Sequence, residues 1–278
     1  MASKTFFITG VSSGFGRAIA ERALAAGHVV HGTVRRLADA APLEQLCADR
    51  FTAHQVDVTD DSGVSRVVDA IEAGAPVDVV INNAGYGHEG IVEESPLAEI
   101  RRQFDVNVFG AVAVIKAFLP YLRARRRGHI VNITSMGGFI TMPGIAYYCG
   151  SKFALQGITE ALHKELASLG IRVTAVAPGS FRTDWAGRSM VRSERSIADY
   201  DAVFEPIREA RQARSGKQPG DPVKAAEAIL TMIDSETPPT TLFLGSDALK
   251  LVRDKLSMMS AEIAAWESLS LSTDSPLT

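Results

Sequence analysis

The sequence predicts a doubly wound α/β fold, a single open and mostly parallel sheet with helices on both faces. Three observations predict it. Short apolar or β-branched runs alternate with longer helical patterns along the chain. A glycine-rich turn joins the first run to the first helical pattern. VDVVINNAG, from Val77 to Gly85, opens as a nearly continuous apolar run, which suits a strand covered on both faces.

The elements follow in order. TFFITG (Thr5 to Gly10) is a strand ending at glycine, and SGFGRAIAERALAAG (Ser13 to Gly27) is a helix. Ile19, Ala23 and Ala26 share its apolar face, while Arg17, Glu21 and Arg22 face water. Gly27 suits the left-handed position that closes many helices. HVVHGTVR is the second strand, LEQLCA a short helix, FTAHQVDVT the third strand and GVSRVVDAIEAG a helix. After the fourth strand a long helix opens at Ser95-Pro96, where serine caps and proline takes the first helical position. It runs to Arg127, and Gly128 ends it. The strand HIVNITS, the helix YYCGSKFALQGITEALHKELASLG and the strands IRVTAVAPG and TTLFLG complete the alternation.

No repeat or linker interrupts this pattern, so residues 1–278 read as a single domain. Residues 184–222 break the rhythm, with many Arg and Ser and a short helical pattern, VFEPIREARQARSG. An insertion after a late strand lies at the carboxyl edge of the sheet, where such folds bind ligands. The segment is expected to be a substrate lid, the alternative being a solvated surface excursion. SLSLSTDSPLT, residues 268–278, is expected to be a frayed or loosely docked tail.

Composition excludes several classes. Apolar residues make up 46% and charged residues 22% of the chain, enough for a substantial core. A net charge of −3 offers no field to recruit nucleic acid or a membrane surface. The run RARRR (Arg123 to Arg127) suits a helix C-terminus, where cations complement the dipole. VFGAVAVIKAFLPYL is interrupted by Lys116 and Pro120 and is too short for a bilayer core of roughly 30 Å. Two cysteines, Cys47 and Cys149, and no signal-peptide pattern point to a reduced, cytoplasmic protein. No paired His or Cys motif suggests a metal.

TGVSSGFG (Thr9 to Gly16) lies between the first strand and the first helix. Gly10 permits a tight turn, Gly14 lets backbone approach a ligand, and Gly16 lets the helix pack closely. The free N–H groups of the new helix then face a phosphate.

Taken together, T-G-x-x-x-G-x-G (Thr9 to Gly16), N-N-A-G (Asn82 to Gly85) and Y-x-x-x-K (Tyr148 to Lys152) resemble the short-chain dehydrogenase/reductase family. Asp57, Asn107, Ser135 and P-G-x-x-x-T (Pro178 to Thr183) match as well, and the likeness covers residues 5 to 185. LFLGSDAL and AEIAAWESLS resemble that family's 17β-hydroxysteroid-dehydrogenase-like branch. The resemblance implies a Rossmann fold and a nicotinamide dinucleotide. Its phosphates are expected at Gly10, Ser12, Ser13, Gly14, Phe15 and Gly16, and its adenine at Asp57 and Val58. Asn83, Ala84 and Gly85 should pass along the adenosine ribose, with Pro178, Gly179, Phe181 and Thr183 at the nicotinamide.

Cofactor choice turns on the end of the second strand. NAD-type relatives usually carry aspartate where this chain has Val34, and Arg35 and Arg36 follow. Without the carboxylate, and with guanidinium groups able to grip a 2′-phosphate, NADP(H) is preferred and NAD(H) remains possible. A pair of solvated helix-start arginines is the bland alternative.

Carbonyl reduction needs a proton donor at the substrate oxygen. Tyr148 and Lys152 are four apart on a helix, hence on one face. The lysine ammonium is expected to lower the tyrosine pKa from about 10 towards neutrality and to bond the nicotinamide ribose. Tyr147 has no lysine at that offset and is read as a packing or substrate-facing residue. By resemblance Ser135 binds the substrate oxygen, and Asn107 holds a water in a proton relay to Lys152. An asparagine satisfied within the core is the alternative for Asn107. Cys149 has no partner for nucleophilic chemistry, and His88 either faces the substrate or sits in the core. Met136, Phe139, Ile140, Met142, Phe181, Trp185 and Met190 are expected to wall an apolar substrate pocket.

The function this implies is an NADP(H)-dependent oxidoreductase, a carbonyl reductase in type, acting on a hydrophobic ketone or aldehyde and its alcohol. A non-catalytic NADP-binding sensor is the alternative; such proteins commonly lack the tyrosine or lysine. A nucleotide-sugar epimerase would need a larger C-terminal domain. The helices 147–169 and 95–127 are the family's usual pairing faces, which implies a homodimer or homotetramer.

Overall fold

β1 (Thr5–Ile8) runs through the centre of the molecule with Phe6, Phe7 and Ile8 buried. In this computed structural model, residues 2–275 are described except for 184, 186 and 188. After β1 come α1 (Gly14–Ala25), β2 (Val29–Val34), α2 (Ala41–Leu46), β3 (Phe51–Gln55), α3 (Asp61–Gly74), β4 (Val79–Asn82) and β5 (Gly87–Glu89). Then follow α4 (Leu97–Phe104), α5 (Gly110–Arg125), β6 (Gly128–Ile133), α6 (Ala146–Leu166) and β7 (Ile171–Pro178). The chain continues through β8 (Met190–Arg192), α7 (Asp201–Ala213), α8 (Pro222–Asp234), β9 (Thr241–Leu244) and α9 (Ser246–Leu271).

Seven strands pair in the order β3-β2-β1-β4-β6-β7-β9, every pair parallel. The order reverses between β1 and β4, so the loops leaving those two strands diverge and open a crevice at their carboxyl ends. Strand alternation sends Phe6 and Ile8 to one face, where they pack with Ile19, Leu24, Ala226 and Ile229 of α1 and α8. Phe7 goes to the other, against Val114, Phe118 and Leu122 of α5. Each fully buried Phe or Leu contributes roughly 1.5–3 kcal/mol. The two cores thus hold the sheet rigid beneath the crevice.

The helix expected from Ser95 to Arg127 is built in three pieces. A π turn, Asp105–Phe109, separates α4 from α5, and the Gly110 amide reaches back to the Asp105 carbonyl. Ser95 does not cap: its hydroxyl donates to the Ile91 carbonyl, and Pro96 stands outside the helix in extended backbone. The far end is closed by Arg126 in the left-handed conformation, while Gly128 already begins β6. The run Leu97–Arg125 is long and apolar enough to cross a membrane by length and composition. Here Val114, Ile115, Phe118 and Leu122 bury its apolar face in the core.

Two further differences lie near the C-terminus. Residues 184–222 contain a short strand as well as α7: β8 pairs in parallel with β5, outside the main sheet. Residues 184, 186 and 188 of the expected lid, and 276–278 of the expected tail, lie outside the described residues. The tail is not frayed from Ser268, because α9 continues to Leu271. Gly27 adopts φ +87° just after α1, as its sequence position predicts.

Candidate active site

The crevice opens into a cleft of about 1500 Å³ that reaches from the first glycine turn to α7. At one end the turn Gly10–Gly14 bends twice through positive φ, +72° at Gly10 and +57° at Gly14. Neither conformation suits a residue with a Cβ. At Gly16 a Cβ would lie 2.3 Å from the Gly10 carbonyl oxygen and 2.4 Å from the Asn83 amide nitrogen. Its constraint is therefore the turn itself rather than helix-to-sheet packing. Asn83 Nδ2 donates to the Thr9 and Gly10 carbonyls, and the Thr9 hydroxyl accepts from the Asn83 and Ala84 amides. The predicted adenosine-side residue is thus first a brace for the glycine turn. No side chain caps α1 and its first turn holds no acid, so its amide end is open to an anion. Ser12, Ser13, Gly14 and Phe15 line the cleft there, a set that fits a dinucleotide pyrophosphate.

Asp57 and Val58, just after β3, line the cleft, and Asp57 Oδ1 is held by the Thr59 amide and hydroxyl at 3.0 and 2.8 Å. Arg35 and Arg36 both line it too, but they differ in what holds them. Arg36 makes a two-pronged ion pair with Asp39, Nε to Oδ2 at 3.1 Å and Nη2 to Oδ1 at 2.8 Å, which raises its pKa further. It is not a free grip for a phosphate. Asp39, a cleft-lining acid three residues downstream, was invisible as a site residue because its importance comes from this pairing.

At the centre of the cleft, α6 presents Tyr148 and Lys152 on one face, the lysine Nζ 5.9 Å from the tyrosine ring centre. Both side chains are buried. Lys152 Nζ donates to the Ile133 carbonyl at 2.8 Å, anchoring it to the end of β6. Burial pushes the Tyr148 phenol up to about 12; the nearby Ser135 hydroxyl and, less strongly, the Trp185 indole N–H pull the other way. Trp185 packs against Tyr148 with ring centres 5.0 Å apart, its buried N–H without a hydrogen-bond partner among the described residues. Burial also pushes Lys152 down to about 8. The expected lowering of the tyrosine is therefore not what this protein environment produces. Desolvation disfavours the charged form of each group and is the largest cause of both shifts.

Ser135 ends the loop after β6, accepts from the Gly137 amide at 3.0 Å and keeps its own proton to donate. Asn107 sits within the π turn and is buried. Its Oδ1 accepts from the Tyr86 amide at 3.0 Å, and its Nδ2 donates to the Tyr86 carbonyl at 3.0 Å and to Ser151 at 3.1 Å. Its side chain is satisfied by protein, and the π turn explains how asparagine is tolerated mid-helix. Gly85 packs closely between Asn107 and Lys152: a Cβ there would press on Asn107 Oδ1 at 3.0 Å. Tyr147 does not line the cleft; its hydroxyl donates to the Val92 carbonyl.

Pro178, Gly179, Phe181 and Thr183 line the cleft at the end of β7. Sequence reading missed the residue that shapes this end. Asp247, in the first turn of α9, accepts from the Ser180 amide at 2.8 Å and from the Ala248 amide at 2.9 Å. A Cβ at Gly179 would lie 2.2 Å from its carboxylate.

The substrate wall differs in part from expectation. Met136, Met142, Phe181 and Trp185 line the cleft, whereas Phe139, Ile140 and Met190 do not. Phe139 and Ile140 pack away from it against Ala248 and Val252, and Met190 packs over Gly87. Tyr86, Ile145, Val191, Ile207 and Ala210 take their place, the last two from α7. His88 does not face the cleft: its Nε2 is 2.9 Å from Glu99 and 3.1 Å from Ser193, tying β5 to α4 and to the segment after β8. Buried Glu89 pairs with Arg192 of β8 at 3.0 Å and with Arg211 of α7. Arg195 pairs with Glu94 and Asp201 and lies over the Phe204 ring. These contacts latch the 190–213 segment over one side of the cleft.

Residues 4–192 match the model of the short chain dehydrogenase family. An oxidoreductase of Botryotinia fuckeliana (strain B05.10), BOA17, is 37% identical over 98% of this chain and 99% of its own. A 3-ketodihydrosphingosine reductase of Bacteroides thetaiotaomicron is 36% identical over 86% of this chain and 87% of its own. The crystal structure of a short-chain dehydrogenase from Streptomyces avermitilis superposes with a TM-score of 0.92 at 40% identity, covering 98% of this chain and 99% of that one.

Proposed function

This chain belongs to the short chain dehydrogenase family, and we propose that it is an NADP(H)-dependent oxidoreductase interconverting a hydrophobic ketone or aldehyde and its alcohol. One observation carries the reading. The Tyr148 phenol, the Ser135 hydroxyl and the Lys152 ammonium all line a cleft that continues to the open amide end of α1. A bound nicotinamide dinucleotide supplies or accepts the hydride. The protein's own groups handle the proton. With its pKa at about 12, the Tyr148 phenol holds its proton at neutral pH and donates it to the substrate oxygen during reduction. Ser135 donates a hydrogen bond to that same oxygen as its negative charge develops. Lys152, still cationic below about pH 8, stabilises the phenolate left behind. In the oxidative direction the same groups act in reverse.

NADP(H) preference is supported by Val34 in place of an acid and by Arg35. Arg35 lines the cleft with no carboxylate paired to it among the described residues. Residues 184–222 serve as a substrate lid, latched through Glu89 and closing the apolar side with Ile207 and Ala210. An apolar wall suits a hydrophobic carbonyl compound, and a relative named as a 3-ketodihydrosphingosine reductase fits that class.

The test is a panel of ketones, aldehydes and alcohols followed by NADPH absorbance, with NADH as control. Tyr148→Phe should lose about 10²-fold or more of turnover while binding NADPH normally by fluorescence. Full turnover by that variant would overturn the mechanism.

A further inference from the structure

Trp185, in the loop between β7 and β8, is wedged against Tyr148. Its ring centre lies 5.0 Å from that of the tyrosine, tilted by 57°, and it packs in the same cluster as Ile145 and Cys149. The edge that carries the indole nitrogen lies over Gly87 of β5, where a Cβ would come within 2.9 Å of Trp185 Cε2. The bare backbone at Gly87 thus admits the indole. Held this way, the N–H is shut off from solvent and has no hydrogen-bond partner among the described residues. An indole N–H can only donate, and a buried donor left unpaired destabilises the state that contains it.

The oxygen that gains charge during the reaction stands beside this idle donor. Lys152 donates to the Ile133 carbonyl and acts on the phenolate through its charge. The Ser135 hydroxyl serves the substrate oxygen in the mechanism above. That leaves the indole, whose N–H already pulls the phenol pKa down. We propose that the Trp185 N–H closes a hydrogen bond onto the Tyr148 oxygen as the phenolate forms, and so stabilises proton transfer in either direction. Its effect is exerted through Tyr148, as a positioning residue, and rests on the reading of Tyr148 as the acid/base. The donor is unpaired while the phenol keeps its proton and paired once the proton has left. Such a contact favours the charged state selectively, which raises kcat without tightening substrate binding.

The pH profile of alcohol oxidation with NADP+ tests this, because oxidation needs Tyr148 deprotonated and its rate rises through the phenol pKa. Replacing Trp185 by β-(3-benzothienyl)alanine, in a Trp266→Phe background, keeps the ring and removes only the N–H. Losing a donor to the phenolate favours the protonated phenol. The acid limb should therefore move up by about one pH unit, with roughly ten-fold slower oxidation on the limb and convergence above it. KM for the alcohol should hold, and Trp185→Phe should show the same shift of the limb. Lys152, which loses its charge at about pH 8, Cys149, whose thiol burial pushes up, and Arg211 of α7 beside that thiol are common to both proteins. None of them displaces one limb from the other. A readout free of turnover is the Trp185 indole N–H resonance in the NADP+ complex of Trp266→Phe. It should move downfield with rising pH through the midpoint of the acid limb, and the movement should vanish when Tyr148→Phe is added. An unshifted limb in the benzothienyl protein would overturn the proposal. So would an indole resonance that stays still, or one that still moves with Tyr148→Phe. Each of those results leaves Tyr148 as the acid/base, whereas full turnover by Tyr148→Phe would overturn both readings.

Discussion

Asn107 and Tyr86 are joined in both directions: the asparagine Oδ1 accepts from the tyrosine amide, and its Nδ2 donates to the tyrosine carbonyl, each at 3.0 Å. The π turn after α4 is thereby fastened to the loop that leaves β4, directly beside Lys152.

That clamp makes Asn107 a positioning residue with a measurable cost. Asn107→Ala leaves the Tyr86 amide unpaired in a buried site and should cost about 2–3 kcal/mol in unfolding free energy. Asn107→Asp keeps the acceptor but sets a carboxylate oxygen against the Tyr86 carbonyl and should recover little. Both should lower kcat more than they raise KM for NADPH, because they loosen the loop beside Lys152. Wild-type melting and wild-type kinetics in Asn107→Ala would refute the role.

The two arginines after β2 should behave differently. Arg35→Ala is expected to raise KM for NADPH about ten-fold or more, with little change for NADH, since it removes a charge-assisted contact to the 2′-phosphate. Arg36→Ala should do less, because Asp39 already holds that guanidinium. Asp39→Asn should widen the preference for NADPH over NADH by releasing Arg36 and removing an acid from the cleft. Equal effects of Arg35→Ala on both cofactors would argue against a 2′-phosphate site.

Acid sensitivity should come from histidines buried in neutral form. His129, whose Nε2 lies 3.0 Å from the Thr174 hydroxyl, is pushed down to about 3 by burial. Unfolded, it takes up a proton near pH 6.5, so the unfolded state binds more protons between pH 6.5 and 3. Stability therefore falls as pH drops through that window, by at most about 1.4 kcal/mol per pH unit from this residue. His54, beside His31 and pushed to about 4, adds in the same sense. Urea titrations at pH 7.5 and 4.5 should show a smaller loss for His129→Gln than for wild type. An equal loss would assign the effect to other groups.

Local chemistry made much of this molecule readable in advance. Gly10, Gly14 and Gly27 take the positive φ that their places in the turn and at the helix end require. The four-residue step from Tyr148 to Lys152 puts both on one helix face, which helix geometry alone decides, and that face lines the cleft. The doubly wound parallel sheet was legible from alternation and from the continuous apolar run of β4. The extra backbone turn at Asp105–Phe109 was not, since nothing in DVNVFG distinguishes i→i+5 from i→i+4 bonding before Asn107 finds Tyr86.

What the sequence determined by itself was therefore the set of elements, the glycine turn and the residues capable of acid–base chemistry, all consequences of neighbours in the chain. Tertiary structure alone decided that Asp247 holds the Gly179 loop and that His88 serves the latch rather than the cleft. It also decided that Tyr148 is buried, which pushes its phenol up to about 12. Each of these depends on partners brought together from eleven to about one hundred residues apart. Pairing and desolvation are properties of distance in space, which no local pattern encodes.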